Sequence, residues 1–106
     1  MGKNTNIRTI AKLIAGLTAH ELLIKHVQAT AHLTGEIDNY RVNLSDEILN
    51  YNWSNDDINR IRLESLKWLK IEEKDPHFKG VHYIEEEKML IFNKIFDEFS
   101  KEALSG

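Results

Sequence analysis

Cysteine is absent from the chain, which removes disulfide frameworks and thiolate metal sites together. Proline occurs once, at Pro76, and glycine only five times. That scarcity of breakers argues against a turn-rich β sandwich and for a few long elements joined briefly. No run of about eighteen apolar residues is present to cross a bilayer. The first residues, Met1-Gly2-Lys3-Asn4-Thr5-Asn6, lack the apolar core of a signal peptide, so a soluble cytoplasmic protein is expected. Also missing are a glycine-rich phosphate loop and a GxSxG elbow, and no carboxylate pair sits in an apolar context that would tune it for acid–base work.

What remains is a chain of 106 residues, the size of one domain, with 42% apolar and 29% charged side chains, as in an ordinary globular core and surface. The net charge of −3 is unevenly spread. Residues 1–35 carry Lys3, Arg8, Lys12 and Lys25 against Glu21 alone, whereas 36–106 are strongly acidic. On this count only the first third attracts phosphate.

Ile10, Leu13, Ile14, Leu17, Ile24, Val27 and Ala31 fall on one arc of about 140° when wound as a helix. Ala11, Ala15, Leu22, Ala29 and Leu33 form a second arc. A helix apolar on two sides belongs at the centre of a bundle. It reads either as one kinked helix over 6–33 or as two that break near 16–18. Gly16 as terminator and Thr18-Ala19-His20-Glu21 as capping box favour the break, and Gly35 ends the segment.

Residues 36–55 are the least regular, with Ser45-Asp46-Glu47 expected to cap a short helix through Ile48, Leu49 and Tyr51. Ser54 and Asp57 form a further N-cap signal, with Trp53 as a hydrophobic staple. A helix follows from Asn55 to about Glu73, and Pro76 forces the exit because it pushes Asp75 out of the helical region. After a linker at 77–81, Tyr83 to about Ala103 is amphipathic: Met89, Phe92, Ile95, Phe96, Phe99 and Ala103 share one face, and Lys88 is placed with the outer residues. Glu85, Glu86 and Glu87 occupy its first turn, where the helix dipole favours them. The expectation is an all-α single domain, a compact bundle of four to five helices around the first third, with flexible ends at 1–5 and 104–106.

Three strings invite chemistry. His20-Glu21-Leu22-Leu23-Ile24-Lys25-His26 is not the metalloprotease HExxH, because the second His comes six residues after the first, roughly 120° around the helix. His32 repeats that spacing, so the three imidazoles diverge. His20-Glu21-Leu22 also resembles the dimerisation helix of histidine kinases, without the Arg-Thr-Pro that follows there. His82-Tyr83-Ile84-Glu85-Glu86-Glu87-Lys88-Met89 resembles, over about eight residues, the His-Phe-x-x-Glu-Glu helix of hemerythrin-like di-iron proteins, but no His follows His82. His82 and Glu86, at i and i+4, make a candidate metal pair in a metal-binding reading, although no cofactor is implied.

The segment Ala11 to Val27 resembles a helix-turn-helix of bacterial regulators, with Gly16 in the turn and Thr18, His20, Lys25 and His26 left to touch DNA. The leading expectation is instead a non-enzymatic protein–protein interaction module: a small adaptor, inhibitor or regulator. Its partner would be another protein, a second copy of the chain included. Tyr51, Trp53 and Phe78, aromatics in the irregular segments, are its candidate anchors if they face solvent. The alternative is that they close the ends of the bundle.

Overall fold

The computed structural model describes residues 3–27 and 31–105, with the backbone alone at 31–33. Ala29 and the side chains of Ala31, His32 and Leu33 therefore lie outside the described residues, as do residues 1–2 and 106 of the termini. Among the described residues there are four α-helices and no strand: α1 (Lys3–His26), α2 (Ala31–Ile48), α3 (Asn55–Glu72) and α4 (Glu85–Ser105). A 3-10 turn, Pro76–Phe78, lies between the last two. Residues 3–5 and 104–105, left to flexible ends by the sequence, are thus helical.

The path of the chain follows from three side-chain ties. Asn6 on α1 donates to Glu47 at the end of α2 (2.7 Å), so α2 returns alongside α1. Lys3 pairs with Asp57 at the start of α3 (2.8 Å), and α3 runs up beside α1 again. His26 meets Glu87 in the first turn of α4 (2.7 Å), so α4 descends from the end of α1. The result is an up-down-up-down bundle. Each of α2, α3 and α4 packs on α1, and they touch one another far less.

Helix α1 is the hub because both of its apolar arcs are covered. Ile10, Ile14 and Leu17 from one arc and Ala11, Ala15 and Leu22 from the other are all buried. At about 1.5 Å per residue its 24 residues span roughly 36 Å, close to the 40 Å long axis of the molecule.

The expected break at 16–18 is not there. Gly16, Leu17 and Thr18 are buried mid-helix residues. A chain break at that depth would strand backbone N–H and C=O groups away from water, a larger penalty than the ~1 kcal/mol that glycine costs a helix. Thr18 caps nothing; its hydroxyl donates back to the Ile14 carbonyl (2.8 Å), which satisfies it inside the core. Ser65 does the same to Ile61 on α3 (2.6 Å).

Residues 36–48, expected to be irregular, belong to α2, and Gly35 lies inside that helix instead of ending the one before it. Ile37, Tyr40, Leu44 and Ile48 sit at helical spacing on its inner face. Ser45-Asp46-Glu47 close α2 instead of opening a helix: the Leu49 and Asn50 amides bond back to Asp46 and Glu47 in a tightened last turn.

The start of α3 is as expected. Ser54 accepts from the Asp57 amide (3.2 Å) while its own amide donates to the Asp57 carboxylate (3.0 Å), a complete capping box. Trp53 is buried at the staple position, with Ile58 in the same core. Ser54→Ala should cost about 1 kcal/mol in denaturant unfolding. The hydrogen bonds from Lys3 and the Ser54 amide also hold the Asp57 carboxyl below its ordinary pKa. Because the folded state binds that proton less readily, this stabilisation is present above pH ~4 and fades as the pH falls below it. Acid titration of Asp57→Asn should show that fading reduced.

Pro76 ends α3 as expected, and Gly80, at φ +83°, supplies the left-handed turn that L side chains resist. Phe92, Ile95, Phe96, Phe99 and Ala103 of α4 face the core, with Met89 packed at its edge. Lys88 corrects the sequence reading: it is buried, not outer.

Candidate contact surface

The aromatic candidates divide. Trp53 is buried and its indole N–H donates to the Ile48 carbonyl (2.9 Å), closing the end of α2. Phe78 is buried at the far end of α3, its ring edge-on to Tyr83 with centroids 5.9 Å apart. Both rings cover bundle ends, so neither faces solvent as an anchor. Tyr51 alone of the three is exposed, at 39%, and stands edge-on to the Trp53 ring at 5.7 Å.

Around Tyr51 the structure assembles a surface that sequence spacing does not bring together. Leu49, 82% exposed, and Leu104, 48% exposed, come from the α2–α3 turn and the end of α4. With Tyr51 and the edge of Trp53 they line a groove of about 430 Å³, whose polar rim includes Asn52 and Glu102. Leu104 is 55 residues from Leu49 in sequence, and only the antiparallel return of α4 places it there.

The DNA-contacting set does not form. Thr18 is fully buried, and His20 is turned inward with Nδ1–H donating to the Gly16 carbonyl (2.8 Å). The imidazole of His20 lies edge-on to Tyr40, centroids 5.1 Å apart, and His26 is held by Glu87. Lys25 is exposed in the last turn of the same unbroken helix. Without a turn there is no separate recognition helix to enter a groove. The cationic surplus of the first third is also partly committed: Lys3 pairs with Asp57, and Lys12 lies over the Trp68 ring at 4.4 Å.

Gly16 has a different task from the one its sequence position suggested. A Cβ there would come within 2.8 Å of Tyr40 Cζ, so glycine lets the α2 ring lie against α1. In a Tyr40→Ala background Gly16→Ala should stabilise by about 1 kcal/mol, the ordinary helix gain. With Tyr40 present that gain should vanish or reverse. Equal gains in both backgrounds, read from urea midpoints, would mean the ring is not so close.

His82 precedes α4 and Glu86 lies within it, both exposed, so the i, i+4 helical pairing expected of them is not formed. Among the described residues no group of three or more His, Asp or Glu is arranged to hold a metal ion. A cleft of about 280 Å³ beside Tyr40 gathers His20, Glu72, Asp75 and His77. Of its polar groups, His77 is bonded to Asp75 (2.6 Å) and His20 to the Gly16 carbonyl (2.8 Å). Burial, then Glu72 and Glu36, push the Tyr40 hydroxyl above its ordinary pKa, so it stays protonated there.

Sequence reasoning missed one ionic cluster entirely. Lys88 Nζ sits 3.2 Å from both Glu73 oxygens and 2.9 Å from Glu85, and Tyr83 donates to Glu73 (2.5 Å). The signal was available, because Lys88 lies four residues before Phe92 and so on the core face of α4.

Fold and surface together define an all-α up-down bundle with an apolar groove at one end. No described helix is long and apolar enough to cross a membrane. Comparison with protein-family models, curated proteins and solved structures finds no match to the chain.

Proposed function

We propose that the chain is a non-enzymatic protein–protein interaction module, a small cytoplasmic adaptor, inhibitor or regulator, that docks another protein in the groove between the α2–α3 turn and the end of α4. The observation that carries this reading is the convergence of Leu49, Tyr51 and Leu104 on one exposed groove. Singly exposed apolar side chains are common, whereas three on one concave surface form a patch with free energy to gain on being covered. Full burial of Leu49 alone would contribute about 1.5–3 kcal/mol. Tyr51 adds a ring already steadied against Trp53, so little side-chain entropy is lost on binding.

A photo-crosslinking residue at position 49 tests this in living cells, with one at Arg8 on an exposed part of α1 as control. A discrete adduct, with another protein or with a second copy, is expected from position 49 alone and should disappear with Leu104→Glu. Leu49→Glu should leave the unfolding midpoint unchanged, since that side chain is already in water. No adduct, or the same adducts from both positions, would overturn the proposal.

A further inference from the structure

The acidic two-thirds of the chain contains one outward face that is cationic. Along α3, Arg60, Lys67 and Lys70 are exposed, and Lys74 continues the row just past the helix end. At 100° per residue Arg60, Leu63, Glu64, Lys67, Lys70 and Ile71 occupy one arc of about 120°, opposite the buried Ile58, Ser65 and Leu69. Among the described residues, none of the four cations makes an ion pair. The neighbouring charges point elsewhere. Arg62 lies over the Phe92 and Phe96 rings, Glu72 lines the Tyr40 cleft, and Glu73 is held by Lys88 and Tyr83. Glu64 alone remains on the face, and Asp56 lies one turn beyond Arg60 toward the helix start.

This face is also apolar. Leu63 is 64% exposed and Ile71 52% exposed, and Leu63 and Leu66 line a shallow groove of about 400 Å³ with Arg60, Lys67 and Lys70. Leu63 and Ile71 are two turns apart, about 12 Å along the axis. Cations alternating with leucine and isoleucine over that distance complement an apolar stripe flanked by carboxylates. We infer that the outer face of α3 is a second docking surface, separate from the end groove, for an acidic amphipathic helix of a partner protein. That helix presents apolar residues at i and i+7 or i+8, with Asp or Glu between them and on the flank away from Glu64. The charges provide orientation and salt dependence, and the apolar pair excludes water between them. The exposed apolar pair favours this occupant over a phosphate backbone or an anionic bilayer. Leu63 and Ile71 would stay wet against phosphate, and they are too few to embed in lipid.

Amide correlation spectra of the whole chain test the inference. The probes are a three-turn Glu-flanked peptide with leucines at i and i+7, a scrambled peptide of the same composition, a short DNA duplex, and vesicles containing anionic lipid. The first peptide is expected to shift the amides of 60–74 with a dissociation constant on the order of 100 μM, weakening as salt is added. The scrambled peptide should bind at least tenfold more weakly. Lys67→Glu with Lys70→Glu should weaken binding at least tenfold, and so should Leu63→Asn, with thermal midpoints unchanged. Absence of shifts at millimolar peptide, equal binding of the scrambled peptide, or preferred binding of DNA or vesicles at this face would each overturn it. Shifts centred on Leu49 and Leu104 would also overturn it, while leaving the end groove in place as a docking site.

Discussion

Ala19→Pro should cost about 3 kcal/mol or more, a large share of the stability of a domain this size, read as a sharply lowered urea midpoint. Ala19 lies in the interior of α1 and is fully buried. Proline there removes the amide that bonds back to the Ala15 carbonyl and drives its ring into the preceding turn. The experiment is informative because the broken-helix reading of the sequence supports the opposite outcome. Were Thr18 the N-cap of a second helix, Ala19 would be its first residue, where proline is welcome. A variant within about 0.5 kcal/mol of the parent would restore that broken-helix reading. Helix α2, α3 and α4 all pack on α1, so a kink at its midpoint disturbs the whole bundle.

The second large effect is at Lys88, 6% exposed. Burial alone would lower its pKa, but the hydrogen bonds to Glu85 and Glu73 outweigh that and hold it above the ordinary lysine value. A raised pKa means the stabilisation is complete below the ordinary value and is lost only as the pH climbs past it, so at neutral pH it is fully present. Lys88→Ala removes the charge that neutralises Glu73 and leaves the carboxylate with Tyr83 as its donor. The expected cost is about 3 kcal/mol by denaturant unfolding. Pairing Lys88→Met with Glu73→Leu should return stability to within about 1 kcal/mol of the parent, because both charges then leave together. If the double variant is as unstable as Lys88→Ala, the cluster is not acting as a pair. The same cluster explains Tyr83, whose hydroxyl is pushed above its ordinary pKa by burial and by its bond to Glu73.

How far the sequence could be read depended on whether the signals were local. The capping box at Ser54 and Asp57, the stop at Pro76 and the α4 face through Phe92, Phe96 and Phe99 are set by neighbouring residues, and all are found in place. Gly16 and Thr18 misled because their propensities describe a solvated chain, while here both are buried, Gly16 against the Tyr40 ring and Thr18 with its hydroxyl bonded to the Ile14 carbonyl. Helix α2 was obscured because its inner stripe of Ile37, Tyr40, Leu44 and Ile48 is diluted by Gly35, Asn39 and Asn43.

The surfaces divide in the same way. Tyr51 was legible as an aromatic in a turn, but its separation from Trp53, which turns inward, depends on the Ile48 carbonyl. Leu104 could join Leu49 only through the tertiary path of α4. The cationic face of α3 was hidden by summing charge over a long acidic segment, since Glu72 lines the Tyr40 cleft and Glu73 is held by Lys88.

Native-state amide hydrogen exchange at Leu17 to His20 tests most directly that one unbroken helix organises the fold. These amides are expected in the slowest-exchanging class, opening only with global unfolding and sharing its free energy. Exchange of Ala19 and His20 within minutes, while the core amides of α4 remain protected, would show a helix terminus at Thr18 and contradict the account.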